Sequence, residues 1–148
     1  MKVVVLDSTP VGLLAAPPRI PLAAACDAWA TALLAAGHRV ILPEIIDYEL
    51  RRELLRKRAV KRIARLDALR RRLEFLPVMS ADYERAAELW ATARQTGQQT
   101  AADDALDIDM LLVAQAELLG EPTAVIATAN VGHIARVFPA ELWSNVTP

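Results

Sequence analysis

Short apolar runs alternate with longer helical segments along this chain, and this alternation constrains the fold more than any other feature. Residues 2–6 form a β-branched run that ends at a polar turn, as a fully buried strand does. Similar short runs occur at residues 39–42, around 75–76, and at 123–127. Strands separated by helices pair in parallel, because each connection crosses over the sheet. We therefore predict an α/β fold, a three-layer α/β/α sandwich around a central parallel sheet of four or five strands.

The helical segments are predicted from the spacing of apolar residues and from signals at their ends. Gly37 and Gly120 stand where helix C-caps are expected, and Pro43 suits the first turn of a helix. Residues 7–10 should break the first strand as a polar turn, and Leu142–Trp143 should add a small edge strand. The predicted helices cover residues 22–36, 44–57, 59–73, 80 to about 94, 107–119 and 131–137.

Length and composition place residues 1–148 in a single domain. A chain of 148 residues has ordinary domain size, and an apolar fraction of 54% allows a sizeable core. Cys26 is the only cysteine, so no internal disulfide can form, which suits a reducing compartment; we expect it to be a small core residue. No stretch approaches the roughly 20 apolar residues of a membrane span. We therefore expect a cytoplasmic protein without membrane contact.

Two acidic residues occupy positions close to the predicted sheet edge. Asp7 comes directly after the first strand, and in parallel sheets ligands bind beyond the carboxyl ends of the strands. Its alternative role is to cap a turn. Glu49 follows Ile45 and Ile46 by one helical turn, at the border of an apolar face. The alternative for Glu49 is a weak surface pair with Arg52.

Asp109 carries the most information, because it lies in an almost wholly apolar helix over residues 106–114. Such a helix is buried, and a buried carboxylate is costly unless it is paired, hydrogen-bonded or bound to a metal. Asp107 is two positions away, so its side chain points in a different direction. Together with Asp103 and Asp104, it is expected to cap the helix start and to favour its dipole.

Several acids gathered at one end of a parallel sheet favour a hard divalent cation, Mg²⁺ or Mn²⁺. A bound cation can activate water and stabilise charge on a phosphate. The sequence has no His/Cys spacing for zinc, no glycine-rich phosphate loop and no Gly-x-Ser-x-Gly elbow. His38 and His133 have no evident Ser or Cys nucleophile, so we expect both to be structural.

Four segments of the chain, in order, resemble the motifs of the PIN-domain family. Residues 3–9 resemble the first motif, and residues 46–50 resemble the second, an acid followed by Leu. Residues 109–116 closely resemble the Asp-x-x-Ile-Ala-Ala-x-Ala block, and residues 127–133 resemble the Thr-x-Asp/Asn turn after the fourth strand. Each motif alone is a weak signal. Their order and spacing match over nearly the whole chain, which makes the combined resemblance strong.

This resemblance implies an α/β/α fold and a metal-dependent endoribonuclease, often the VapC-type toxin of a toxin–antitoxin pair. Asn130 stands where many members have a fourth acid, so it would be an uncharged metal ligand. Family members commonly form homodimers, and the toxins are inhibited by an antitoxin protein that blocks the site. The resemblance assigns catalysis and metal binding to Asp7, Glu49 and Asp109, and supporting roles to Ser8, Thr9 and Thr128.

Residues 51–72 form a strongly basic segment. It holds eleven Lys and Arg against two acids, a net charge of +9, which leaves −10 for the rest of a chain whose net charge is −1. This asymmetry suits RNA phosphates or an acidic partner; the alternative is a solvated helical hairpin whose long side chains cover apolar surface. The candidate RNA contacts are Arg52, Arg56, Arg62 and Arg65.

Five aromatic residues lie at apolar helical or strand positions. We expect them to form core or dimer contacts rather than platforms for stacking bases. They are Trp29, Trp90, Trp143, Tyr48 and Tyr83.

Three functions compete for this sequence. The leading hypothesis is an enzyme that cleaves single-stranded or loop RNA with metal-activated water. The second keeps the fold as a catalytically weak nucleic-acid-binding module, because Asn130 leaves three carboxylates. The third, a receiver or phosphatase-type domain, is disfavoured because no acid pair follows the first strand and no Asp-x-Asp motif is present. Metal-dependent cleavage by the purified protein would separate the first two.

Overall fold

The central sheet of this computed structural model contains five parallel strands within the described residues, 1–97 and 103–148, where side chains at 103–106 are not described. Strand β1 lies in the middle of the sheet, whose spatial order is third, second, first, fourth and fifth strand. This confirms the predicted parallel sheet with five strands. The strands are β1 (Val3–Leu6), β2 (Arg39–Pro43), β3 (Glu74–Leu76), β4 (Ala124–Thr128) and β5 (Ala140–Leu142).

Helices connect the strands and cover both faces of the sheet. Every residue of β1 and β4 is buried, which requires cover on each side. The chain moves from β1 outward through β2 to β3 and then returns to β4 on the other side of β1. With right-handed crossovers, this reversal places the helices in two layers, as predicted. The helices are α1 (Ser8–Leu14), α2 (Pro21–Ala35), α3 (Glu44–Arg56), α4 (Val60–Arg72), α5 (Ser80–Gln95), α6 (Asp103–Leu118) and α7 (Val131–Ile134).

Helix α1 is the largest departure from the sequence-based expectation. A polar turn was expected over residues 7–10, but the helix begins at Ser8, immediately after β1. Asp7 is its N-cap and accepts a hydrogen bond from the Ser8 N–H at 2.7 Å. Pro10 fits because it lies in the first turn, where backbone N–H groups have no partner within the helix. The same residues that resemble a strand breaker therefore start a helix.

Smaller corrections concern the ends of elements. Pro43 is the last residue of β2 and the N-cap of α3, so it precedes the first turn of the helix. The short helix expected over residues 131–137 ends at Ile134. The edge strand expected at Leu142–Trp143 ends at Leu142, and a 3₁₀ turn begins at Trp143. Across the part of the chain that the structure describes, no helix has the length and hydropathy to cross a membrane.

Gln115 connects three elements near the carboxyl end of the sheet. Its side chain is 1% exposed and accepts a hydrogen bond from the Ile45 N–H at 3.3 Å. Its amide nitrogen donates to the carbonyl of Leu76 at 2.9 Å and to that of Pro77 at 3.2 Å. One buried side chain thus fixes α6 relative to the start of α3 and the end of β3.

We expect Gln115→Leu to lower the free energy of unfolding by about 1–3 kcal/mol, because it leaves one backbone donor and two carbonyls without their buried partner. Urea unfolding followed by circular dichroism measures this loss. Gln95→Leu is the matched control, since Gln95 is exposed at the end of α5. Equal unfolding midpoints for the two variants would contradict the role given to Gln115.

Candidate functional site

A polar cavity of about 230 Å³ opens at the carboxyl ends of β1 and β4. It contains every side chain that the sequence analysis assigned to catalysis, metal binding or support, together with one histidine that had been expected to be structural. No Lys or Arg from the described part of the chain lines it. The lining residues are Asp7, Ser8, Thr9, Glu49, Asp109, Thr128, Asn130 and His133.

Asp7 is held by hydrogen bonds to both carboxylate oxygens. The backbone N–H of Ser8 donates to Oδ1, and the Thr128 hydroxyl donates to Oδ2 at 2.7 Å. The Thr128 oxygen in turn accepts a hydrogen bond from the Asn130 N–H at 3.0 Å, so its own proton is directed toward Asp7. Each carboxylate oxygen keeps a further lone pair for another partner. Thr128 and Asn130, in the segment that resembles the fourth motif, therefore orient Asp7, in the segment that resembles the first motif.

Glu49 reaches the cavity from α3. The side chain is half-buried, and the loss of water around it raises the pKa of its carboxyl group. The negative charge of Asp7 raises this pKa further, whereas the nearby charge of Arg52 lowers it. The Glu49 carboxylate therefore belongs electrostatically to the same cluster as Asp7.

Asp109 reaches the cavity from α6, and its environment is the most unfavourable for a negative charge. Burial raises its pKa from 3.8 to about 7, with smaller contributions from the charges of Asp7 and Glu49. Asp107 is exposed and lines a different cavity, between α5 and α6. The helix thus separates the two acids as the spacing predicts. The caps proposed for Asp103 and Asp104 lie outside the described side chains.

A buried ion pair, which the sequence analysis missed, holds the helix that carries Glu49. Asp47 is 4% exposed and accepts two hydrogen bonds from Arg51, at 2.9 and 3.1 Å. Arg51 also pairs with Asp67 of α4 at 2.8 Å. The i, i+4 spacing of Asp47 and Arg51 was the available sequence signal. This network fixes α3 against α4.

The chemistry of the cavity fits a hard divalent cation. Three carboxylates, hydroxyl groups and one amide supply oxygen ligands, which Mg²⁺ and Mn²⁺ prefer. Burial, and to a smaller extent repulsion among the carboxylates, raises the pKa values of Glu49 and Asp109, and a bound cation would offset both effects. Among the described residues, no three His, Cys, Asp or Glu side chains already stand close enough to hold an ion.

The four arginines predicted to contact RNA fall into two groups. Arg52 lies over the ring of Tyr48 at 5.2 Å, and Arg56 pairs with Glu53 at 2.6 Å. Arg62 and Arg65 instead line a second cavity, of about 440 Å³. The structure therefore distinguishes side chains that the sequence treats alike.

The predicted roles of the remaining side chains are partly confirmed. Cys26 is fully buried, as expected. His38 accepts a hydrogen bond from the Lys2 N–H at 3.0 Å, a structural contact. Trp143 is in the core, where its ring meets that of Trp29 edge to face at 5.3 Å.

Two of the aromatic residues that were expected to form core or dimer contacts lie outside the core. Tyr48 is 54% exposed and Tyr83 is 58% exposed. Their role in dimer contacts stays a prediction. His133, which was expected to be structural, lines the acidic cavity.

An α/β/α domain with an acidic cavity beyond a five-stranded parallel sheet is the arrangement that the motifs predict. The PIN domain sequence model matches residues 21–137, and the chain therefore belongs to the PIN domain family, whose members are generally nucleases. The matched segment includes Glu49, Asp109 and Asn130, whereas Asp7 precedes it. No curated protein sequence matches the chain.

Several solved structures share the fold. One is the structure of VapBC2 from Rickettsia felis bound to a DNA fragment from its promoter. It is 18% identical to this chain with a TM-score of 0.68, and the match covers 94% of this chain and 97% of that chain. FitAcB from Neisseria gonorrhoeae is 18% identical with a TM-score of 0.67, covering 97% and 99%. VapBC-1 from nontypeable Haemophilus influenzae is 16% identical with a TM-score of 0.69, covering 97% and 99%. At these identities the likeness establishes the fold.

We expect Asp109→Asn to stabilise the metal-free protein above pH 7 by about 1–2 kcal/mol, after allowance for solvent screening at this partly exposed carboxyl group. The folded state holds the Asp109 proton up to a pKa of about 7, whereas the unfolded state releases it near 3.8. The native protein therefore loses stability as pH rises between these values, and the variant does not.

Thermal unfolding in EDTA from pH 4 to pH 8 measures this difference. Asp107→Asn, at an exposed position on the same helix, is the matched control. If both variants gained the same stability across this range, the cavity would not be the source of the effect.

Proposed function

We propose that this protein is a Mg²⁺- or Mn²⁺-dependent endoribonuclease that cleaves single-stranded or loop RNA. The observation that carries this proposal is the convergence of Asp7, Glu49 and Asp109 on one cavity, which none of the described Lys or Arg residues lines. Membership of the PIN domain family supports nuclease chemistry. Incubation of the purified protein with structured RNAs, in Mn²⁺, Mg²⁺ or EDTA, tests the proposal.

The polar residues of the cavity, His133 excepted, would have the following roles in this activity. Asp7, Glu49 and Asp109 would hold the cation, and the Asn130 carbonyl would add an uncharged ligand. When bound, the ion supplies an activated water and neutralises charge on the phosphate. Thr128 orients Asp7 through its hydroxyl group.

Ser8 and Thr9 have a supporting role at the cavity wall. Their hydroxyl groups can hydrogen-bond to the attacking water or to a phosphate oxygen. This role is expected to be weaker than that of the carboxylates.

We also propose that the enzyme is the toxin of a type II toxin–antitoxin pair. The similar structures include two VapBC complexes, which are toxin–antitoxin assemblies, and this likeness supports a protein antitoxin as partner. Induced expression should arrest bacterial growth, and Asp7→Asn should relieve the arrest. Growth arrest by both proteins would separate toxicity from the nuclease site. A homodimer, which the family resemblance implies, stays a prediction.

A catalytically weak nucleic-acid-binding module is the alternative. Asn130 favours it, because this residue stands where many family members have a fourth acid. Such a module would bind RNA but would leave it intact with Mn²⁺ and with Mg²⁺. Cleavage that EDTA abolishes would exclude this alternative.

We expect Asp7→Asn and Asp109→Asn each to reduce cleavage by at least about 100-fold, because each removes a charged ligand from the proposed metal site. Initial rates on one labelled RNA at saturating Mn²⁺ measure the loss. Asp107→Asn is the matched control and should keep near-normal activity, since its side chain lies in another cavity. Full activity in Asp109→Asn with loss in Asp107→Asn would show that the wrong acid had been assigned.

We expect one tightly bound divalent ion per site in the absence of RNA. Three carboxylates bring about three negative charges, whereas the Asn130 amide brings none, so a second ion would arrive with the substrate phosphate. Calorimetric titration of metal-free protein measures the stoichiometry, and activity should survive Asn130→Asp. Two tight ions per site would mean that another acid completes the cluster.

A further inference from the structure

A second cavity, the cationic pocket, lies between the α1–α2 connection and the start of α4. It has a volume of about 440 Å³, and no acidic residue of the described segments lines it. Pro17 and Arg19 line it from the α1–α2 connection, and Val60 lines it from the start of α4. Four of its lining side chains are positively charged: Arg19, Lys61, Arg62 and Arg65.

These four cations differ from most of the other Lys and Arg residues in the basic segment, residues 51–72, whose charges already contact an acid or an aromatic ring. Arg51 binds Asp47 and Asp67, while Arg56 and Lys57 share Glu53. Within the described residues, no ion pair or side-chain hydrogen bond involves any of the four pocket cations. Other cations of the segment are engaged as follows: Arg72 pairs with Asp27, Arg70 lies over Phe75 and Arg52 lies over Tyr48.

The position of the pocket cations opposes the stability of their own helix. Lys61 and Arg62 lie in the first turn of α4, where the helix dipole disfavours positive charge, and Arg65 lies in the second turn. They are also spaced i, i+3 and i, i+4, so they repel one another. The first turn of α4 holds no acid, and Ala59 at its N-cap offers no capping side chain. An arrangement that costs local stability without a structural gain points to a ligand.

The ligand that fits this charge is a phosphate group. Arginine binds phosphate through two parallel hydrogen bonds, and the pocket offers three arginines and a lysine, one from the α1–α2 connection and three from α4. Helix α1 starts at the acidic cavity, where Asp7 caps it, and ends just before Pro17. Its seven residues span about 10 Å. One nucleic-acid strand can therefore contact both cavities.

We propose that the cationic pocket binds backbone phosphates of the RNA substrate at a distance from the cleaved bond. This inference rests on the proposed ribonuclease function. It assigns RNA binding to Arg62 and Arg65, and adds Arg19 and Lys61. An acidic protein segment is the competing occupant, and it would leave RNA affinity independent of the pocket.

The test is RNA binding in EDTA, where cleavage does not interfere, measured by fluorescence anisotropy across a salt series. The double variant Arg62→Gln/Arg65→Gln should bind about tenfold or more weakly, because charged hydrogen bonds to the RNA are removed. The slope of log affinity against log salt concentration should decrease in magnitude by about 1.4. Each phosphate of a single strand that the protein neutralises contributes about 0.7 to this slope, and the variant should neutralise two fewer phosphates. Arg19→Gln, in the α1–α2 connection, should act in the same direction.

The matched control is Lys57→Gln/Arg71→Gln, which removes the same charge from exposed positions outside the pocket. It should leave the salt slope nearly unchanged. Equal slopes for the two double variants, with both proteins folded by circular dichroism, would overturn the pocket proposal. This test and the test of the proposed function can fail separately. If the protein cleaves no RNA but its RNA binding depends on the pocket, the pocket proposal stands and the nuclease proposal fails. If the double variant cleaves and binds RNA normally, only the pocket proposal fails.

Discussion

Repulsion among three carboxylates is the interaction on which the arrangement of the acidic cavity depends. Asp7, Glu49 and Asp109 come from three different elements and are brought to one cavity, which no cationic side chain of the described residues lines. Burial is the larger cost at Asp109, and together with this repulsion it raises the pKa of that carboxyl group to about 7. A fold that keeps such a cluster must hold its elements rigidly, because separation of the carboxylates would lower the energy of the metal-free protein.

The rigidity comes from buried polar contacts placed just behind the cavity. Thr128 holds Asp7 through its hydroxyl group. Gln115 ties α6, which carries Asp109, to the start of α3 and to the end of β3. Arg51 of α3, which is held by Asp47, pairs with Asp67 of α4 and so holds the two helices together. In each of these contacts both the donor and the acceptor are hydrogen-bonded. The contact therefore fixes a helix without leaving an unpaired polar group in the core.

Most of the sheet and the acidic cluster could be predicted from the sequence, because both depend on local signals. Buried strands are short apolar runs, and Asp109 is conspicuous within an apolar helix. Helix α1 was missed because Asp7 and Pro10 suit a polar turn as well as the start of a helix, and the sequence alone does not choose between the two. The i, i+3 spacing of Glu53 and Arg56 was a sequence signal for their ion pair, but the pocket that Arg62 lines depends on how α4 meets the α1–α2 connection. His133 was missed because its position on α7 relative to the cavity depends on tertiary packing.

The near-neutral net charge conceals two opposed electrostatic sites at the two ends of α1. The acidic cavity by itself repels a phosphodiester, and this repulsion is strong because partial burial reduces screening by water. The cationic pocket attracts the same backbone about one short helix away. In the proposed enzyme, attraction by the pocket would hold RNA near the carboxylates, and a divalent cation would then allow the phosphate to approach them. Because α1 separates the cationic pocket from the acidic cavity, the arginines do not pair with the carboxylates. Such pairing would leave the arginines unavailable to RNA and the carboxylates unavailable to the cation.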